Sequence, residues 1–219
     1  MGTREFIAKN AAQLLNDGDI VNLGLGIPGL VPNYIAPGKH IYFHNENGSI
    51  GLAGIATPED ANYDPELIDA CANCSYFQPG GVIMDSAASF AFVRSGRLDV
   101  TVLGAMEVDE AGSLANWAIP GKMIAGMGGA MDLVSGAKKV IIAMEHCSKN
   151  GRPKIVKECT LPLTALHVCK NIVTELAIIN VQPNGLVLAA VAPGVSVEEV
   201  VAKTQAHLII PPHIDTMVA

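Results

Sequence analysis

The chain is short of aromatic and charged residues, which make up 5% and 16% of its 219 positions, and it has one tryptophan. Basic residues are the scarcer sign. Lys and Arg number 14 against 21 Asp and Glu, a formal net charge of -7 at pH 7. That balance argues against a general nucleic-acid binder, although a few local lysines can still hold the phosphates of a nucleotide-like ligand. No apolar run has the length of a membrane span, so no membrane association is expected. The N-terminal stretch is polar and amphipathic and lacks the apolar centre of a secretory signal. Phe6 stands where an N-myristoylation pattern needs Ser or Thr. Five cysteines are an odd number, and without an export signal the expected setting is reduced and cytoplasmic. Cys71 and Cys74 form a lone CxxC with no second pair at zinc-ribbon spacing, so ordinary thiols are the first reading, metal or redox use the second, and no metal site is expected. No GxSxG elbow is present. Asp85 or Ser86 is therefore read as a helix cap, and Ser89 and His146 as hydrogen-bonded side chains rather than parts of a serine hydrolase.

Apolar residues are plentiful. Half the chain is hydrophobic and the mean hydropathy is +0.35, which implies either a large core or a face buried against a partner. The length fits one α/β unit, and residues 1–219 are read as a single domain. Apolar spacing at Ile7, Ala11, Leu14 and Leu15 predicts a helix over 4–16, stopped by Gly18. Strands are expected at 20–23, 41–43, 98–103 and 140–144. A short helix should run to Tyr34, and another from 86 to Arg94, ended by Gly96. Residues 52–80, rich in Pro, Asp, Asn and Gly, predict a long loop or an excursion, and 107–113 a hairpin tip. In the β-rich C-terminal third, strands 172–181 and 186–191 meet at Pro183-Asn184-Gly185. Ser196 and Glu199 open a helix to about Ala206, and a strand closes at 208–210. Alternating β and α without a linker predicts an α/β fold, a largely parallel central sheet with flanking helices.

The segment His44-Asn45-Glu46-Asn47-Gly48 carries the chemistry. It puts a carboxylate on a tight turn at the end of an apolar strand, where an unused charge is costly, and Asn47-Gly48 gives the backbone access to positive φ. Glu46 is read as a nucleophile; the plainer alternative is a solvated glutamate. Gly24, Gly26 and Gly29 spell GxGxxG between a strand and a helix, with Glu46 at the end of the next strand, the pattern of a dinucleotide site. Pro28 inside the loop and the short helix favour a tight packing turn instead. Gly126-Met127-Gly128-Gly129-Ala130-Met131 opens a helix and offers consecutive backbone N–H groups to an anion or oxyanion, or else serves a close backbone crossing. Lys122, just upstream, could reach a phosphate or lie in solvent.

Four segments together resemble the β subunit of class I, 3-oxoacid-type coenzyme A transferases. They are Asp19-Ile20-Val21-Asn22-Leu23-Gly24 with Gly26-Ile27-Pro28; Glu46-Asn47-Gly48; Leu114-Ala115-Asn116-Trp117 through Pro120-Gly121-Lys122-Met123; and Gly126 through Val134. Met144-Glu145-His146 and Cys159-Thr160-Leu161-Pro162-Leu163-Thr164 agree, so the likeness spans essentially the whole chain. It implies a separate α subunit in an α2β2 assembly, coenzyme A as a substrate with no tightly bound cofactor, and a place in short-chain fatty-acid or ketone-body metabolism. It implies that Glu46 is acylated and then carries CoA as a thioester, with Gly128-Gly129, Gly129 foremost, as oxyanion donor. Asn47, Gly48, Gly24, Gly26, Asn116 and Lys122 are the expected substrate-binding residues. The acid pair that the resemblance implies is acetoacetate, as 3-oxoacid, with acetate, butyrate or succinate; the chain itself does not name it. The competing readings are a thioester hydrolase on the same fold, and a non-catalytic or NAD-binding α/β protein using the Gly24-Gly26-Gly29 loop. The chain departs from the family pattern at Asn45, where Ser is usual, and at Gly51-Leu52-Ala53-Gly54 in place of Gly-x-Gly-Pro. It departs again at Asp69-Ala70-Cys71 in place of Asn-Ala-Gly, and at Ala72, where eukaryotic-type members often carry a basic residue. These positions surround the nucleophile and bear on substrate choice.

Overall fold

The computed structural model describes residues 1–61, 63–70 and 73–219, with the backbone alone at Ala53 and Ile55. Cys71 and Ala72, half of the CxxC and two of the departures above, lie outside the described residues.

The chain opens with α1 (Thr3–Gln13) and β1 (Ile20–Leu23), passes through a 3-10 helix (Pro28–Tyr34), and continues as β2 (Tyr42–Asn45), β3 (Ser49–Ile55), β4 (Ser75–Ile83), α2 (Ser86–Arg94) and β5 (Val100–Leu103). Short strands β6 (Glu107–Asp109), β7 (Leu114–Ala115), β8 (Ala118–Ile119) and β9 (Met123–Ile124) precede α3 (Ala130–Gly136) and β10 (Lys139–Ala143). Then come β11 (Ile155–Val156), β12 (Asn171–Val173), β13 (Ala177–Gln182), β14 (Gly185–Val191), α4 (Val197–Lys203), β15 (Leu208–Ile209) and β16 (Asp215–Thr216).

Among the described residues these strands build an eleven-stranded sheet whose main path is β15-β14-β13-β12-β10-β5-β1-β2-β3-β4. Its centre, β12-β10-β5-β1-β2, is parallel throughout. Both faces of this centre are covered, so burial does not alternate along its inner strands: all four residues of β5 are buried, as are the last four of β10. In β10, Val140 and Ile142 enter one core cluster while Ile141 and Ala143 enter the other. Ile7 and Ala11 of α1, with Leu15 just after it, share a cluster with Val21, Val100 and Ile141. On the opposite face Val134 of α3 and Val200 of α4 share a cluster with Val140 and Ile142. The expected α/β fold with a largely parallel sheet is thus the one that forms. No helix among the described residues is long and apolar enough to cross a membrane.

Four local expectations need correction. The loop expected over 52–80 is shorter, 56–74: the two ends of the segment belong to β3 and β4, paired antiparallel. Glycines at the start of the pair serve bulges. Gly51 and Gly54 sit at φ +90° and +68°, beside the register shifts between Ile50/Leu52 and Ala53/Ile55. Pro79 is tolerated because β4 ends the sheet path. The predicted strand 172–181 is two strands, β12 and β13, folded back antiparallel. Thr174 makes that turn by accepting the N–H groups of Leu176 and Ala177 on Oγ1 at 3.2 and 3.1 Å. α1 ends at Gln13, before Gly18, and α4 ends at Lys203 rather than near Ala206.

Candidate functional site

The chain order reverses at β1. From there β2, β3 and β4 extend the sheet one way, and β5 returns to the other side of β1 before β10 and β12 continue outward. Ligands of open α/β sheets bind beyond the strand carboxyl ends at such a switch point. A cleft of about 500 Å³ lies there, lined among others by Gly24 after β1, Gly104 after β5, Glu46 after β2, and Gly128-Gly129.

Glu46 is half-buried on the turn joining β2 to β3, which the Gly48 N–H closes on the Asn45 carbonyl at 3.0 Å. Gly48 has φ +123°, and a Cβ there would overlap the carbonyl oxygen of Met84. Met84 in turn donates its N–H to the Gly48 carbonyl at 2.9 Å. Only glycine permits this crossing. Two asparagines strap the turn to the neighbouring segment: Asn45 Oδ1 accepts the Ala70 N–H at 3.2 Å, and Asn47 Nδ2 donates to the Ile68 carbonyl at 3.0 Å.

The opposite wall is bare backbone. A Cβ on Gly129 would stand 2.5 Å from Oε2 of Glu46 and 2.8 Å from the Phe90 ring, and one on Gly128 3.9 Å from Oε1. The carboxylate therefore lies directly against the peptide groups of these glycines. Glu46 is the one ionisable side chain among the described residues lining the cleft.

The other expected site residues divide. Gly24 and Asn116 line the cleft. Asn116 is held by donating from Nδ2 to the Gly104 carbonyl at 3.3 Å and accepting the Thr164 hydroxyl on Oδ1 at 2.7 Å. Gly26 lies outside the lining, at φ +85°. Gly48 is buried under the turn, Asn47 faces outward, and Lys122 is exposed in the β8–β9 connection, where its N–H bonds the Ile119 carbonyl at 3.0 Å. The loop after Gly24 enters a 3-10 helix with Pro28 at its start and Pro32 inside, not the α-helix that a dinucleotide fingerprint opens.

Asp85 caps α2 by accepting the Ala88 N–H at 2.7 Å. Buried His146 stands between the hydroxyls of Thr174 and Thr204, at 3.0 and 2.9 Å. Ser89 meets His44 rather than His146: its Oγ is 2.9 Å from Nε2. His44, Asn22, Thr101 and Ser89 form a buried polar group behind Glu46 that sequence reasoning missed. The available signal was a polar residue inside each of two apolar strands, Asn22 and His44. Burial lowers the His44 pKa to about 4, so its ring is neutral at neutral pH. Burial also pushes the Cys159 thiol up to about 12. Among the described residues no group of three or more His, Cys, Asp or Glu is placed to hold a metal ion.

A family model described as coenzyme A transferase matches residues 4–203. The β subunit of the acetate CoA-transferase of Escherichia coli (strain K12) is 48% identical over 207 residues, 94% of each chain. One of the subunits of the succinyl-CoA:3-ketoacid coenzyme A transferase of Helicobacter pylori is 47% identical over 204 residues, 93% of this chain and 97% of its own. In fold, the crystal structure of an acyl-CoA transferase apoenzyme from Escherichia coli O157:H7 superposes with a TM-score of 0.77 at 21% identity, over 99% of this chain and 43% of that longer one. The chain belongs to the coenzyme A transferase family, enzymes that move coenzyme A between an acyl-CoA and a carboxylate.

Proposed function

We propose that this chain transfers coenzyme A between an acyl-CoA and a short-chain carboxylic acid by ping-pong chemistry on Glu46. The acids are a 3-oxoacid such as acetoacetate with acetate, butyrate or succinate. One observation carries the reading: the Glu46 carboxylate is set on a rigid turn against the Gly128-Gly129 backbone, in a cleft at the sheet's switch point.

An ionised carboxylate needs no general base to attack. A Glu46 oxygen adds to the thioester carbonyl of the donor, the C–S bond breaks, and CoA leaves as thiolate, giving an acyl-glutamyl anhydride. The thiolate then attacks the Glu46 side-chain carbonyl and expels the donor acid as carboxylate, leaving a glutamyl-CoA thioester. The acceptor carboxylate runs both steps in reverse. Each addition creates an oxyanion and no proton is transferred, so stabilisation must come from fixed donors. The peptide N–H groups of Gly128 and Gly129 suit that task, and one such donor is worth roughly 3–4 kcal/mol.

Water must be excluded or the anhydride hydrolyses. Exposed apolar side chains stand at or next to the lining: Leu25, at 71%, is part of it, and Ile124, at 77%, immediately precedes the lining residue Ala125. They suit a covering α subunit, as the naming of the E. coli relative as a β subunit suggests, in an α2β2 enzyme. A cytoplasmic setting accords with substrates of this kind.

The test is intact-mass spectrometry of the chain, co-produced with its α subunit and mixed with acetoacetyl-CoA. A CoA-sized adduct that borohydride destroys and that maps to Glu46 is expected. Glu46→Ala should form none and transfer nothing. Absence of an adduct in the assembled wild-type enzyme, or transfer by Glu46→Ala, overturns the reading.

A further inference from the structure

We propose that a directed chain of buried hydrogen bonds, Thr101 to Asn22 to His44 to Ser89, orients the peptide that carries Glu46, so that His44 and Ser89 are positioning residues for the transfer. The inference rests on Glu46 being the nucleophile.

The direction of the chain follows from one acceptor that has no choice. The main-chain carbonyl of His44 can only accept, and Asn22 Nδ2 lies 3.2 Å from it, so the amide nitrogen of Asn22 must face that way. The same nitrogen lies 3.3 Å from Nδ1 of His44, and the amide oxygen, turned away, receives the Thr101 hydroxyl at 3.2 Å. Nδ1 therefore accepts and carries no hydrogen. In a neutral ring the proton then sits on Nε2, which donates to Ser89 Oγ at 2.9 Å. The Ser89 hydroxyl, its oxygen already accepting, gives its own hydrogen to the Asn45 carbonyl at a longer 3.4 Å.

That carbonyl belongs to the same planar peptide unit as the Glu46 N–H. It also accepts the Gly48 N–H at 3.0 Å, so two donors, one from the turn and one from α2, fix the plane from which the Glu46 Cα projects. The four polar residues are at most 3% exposed, where hydrogen bonds are least diluted by water and an unpaired group costs most. The ring cannot turn aside: it stacks on Phe92, with centroids 5.9 Å apart and planes 21° from parallel. A carboxylate 2.5 Å from the place a Gly129 Cβ would occupy has little tolerance, and a misplacement of about an ångström can lower a rate about 100-fold.

The test uses the assembled enzyme with acetoacetyl-CoA and acetate. Glutamine's amide can stand near Nε2 of the native ring, whereas asparagine's reaches only as far as Nδ1. His44→Gln therefore keeps a donor to Ser89, and His44→Asn does not. His44→Asn and Ser89→Ala should each lower kcat about 10- to 100-fold, with KM for acetoacetyl-CoA unchanged and the glutamyl-CoA adduct forming correspondingly slowly. His44→Gln should retain most of the wild-type kcat, and the His44→Asn/Ser89→Ala pair should be little worse than either alone, because both break one chain. Wild-type kcat in Ser89→Ala, equal loss in Gln and Asn, or losses that follow the unfolding midpoints instead of the donor pattern, overturn the proposal. If the wild-type enzyme neither transfers CoA nor forms the adduct, the Glu46 reading fails, and this inference falls with it.

Discussion

A methyl added to Gly129 would put a carbon 2.5 Å from Oε2 of Glu46, yet the backbone there, at φ -83°, accepts any residue. Gly128 is the reverse case, with 3.9 Å of room to Oε1 but φ +52°. Gly129→Ala should therefore lose activity, by about 100-fold in kcat, with the urea midpoint lowered only by what displacing the half-buried Phe90 ring costs. Gly128→Ala should lose about 1–2 kcal/mol of stability and much less activity; the opposite pattern would show that the carboxylate does not work against Gly129. Two buried histidines set a pH dependence. Burial lowers His44 and His146 from 6.5 to about 4, with Lys203 and Lys154 adding to the effect at His146. Between those values the unfolded chain binds protons that the folded chain refuses, so stability is complete above about pH 6.5 and falls as pH drops towards about 4. Urea midpoints measured at pH 7, 5.5 and 4.5 should decline in that order, and His146→Gln should flatten the decline; a constant midpoint would mean both rings protonate freely in the native state. Glu46 and the glycines facing it were legible because their local pattern names a turn and a bare backbone. The His44–Ser89 pair was not. Its members are 45 positions apart and meet only when α2 is laid against β2.

Elements whose ends carry their own hydrogen-bond chemistry were the easiest to read. α2 begins at Asp85, whose side chain accepts the Ala88 N–H, and α4 at Ser196, which accepts the Glu199 N–H at 3.1 Å. Asp85→Ala should remove about 1 kcal/mol of stability by exposing an unpaired donor at the helix start. Because α2 presents Ser89 to the Glu46 turn, kcat should fall modestly with it; an unchanged urea midpoint would show that the cap is dispensable. The elements that were misread share one cause: composition was taken for conformation. Gly51 and Gly54 belong to a bulged strand, where glycine permits close crossing as readily as it permits a loop; a Cβ on Gly51 would come 2.9 Å from the Gly81 Cα. The apolar run over 172–181 hides a turn, because Thr174 satisfies the backbone with its own hydroxyl and needs neither Gly nor Pro. The GxGxxG loop was not among the misread elements: Pro28 already argued for a packing turn, and with Pro32 the segment takes 3-10 geometry.

For the whole molecule, the fold class was readable from alternating elements, but the place of the cleft was not, since it depends on β5 returning beside β1. Strand order also decides what surrounds the mouth. Leu25 follows β1 into the cleft lining, and Ile124 in β9 immediately precedes the lining residue Ala125. Both are more exposed than large apolar side chains usually are, as is Ile83 at 70% at the end of β4, next to the Met84 that packs under Gly48. If the proposed chemistry on Glu46 needs a dry site, such a rim suits a companion chain. Ile124→Glu tests this, because it places a charge on the rim without touching the core or the Glu46 turn. The variant chain should fold with an unchanged urea midpoint. It should co-purify poorly with the α subunit and show low transfer at dilute protein that recovers as the α subunit is raised in excess. Assembly and kcat equal to wild type at all concentrations would place the companion chain elsewhere and leave the mouth to be closed by the substrate itself.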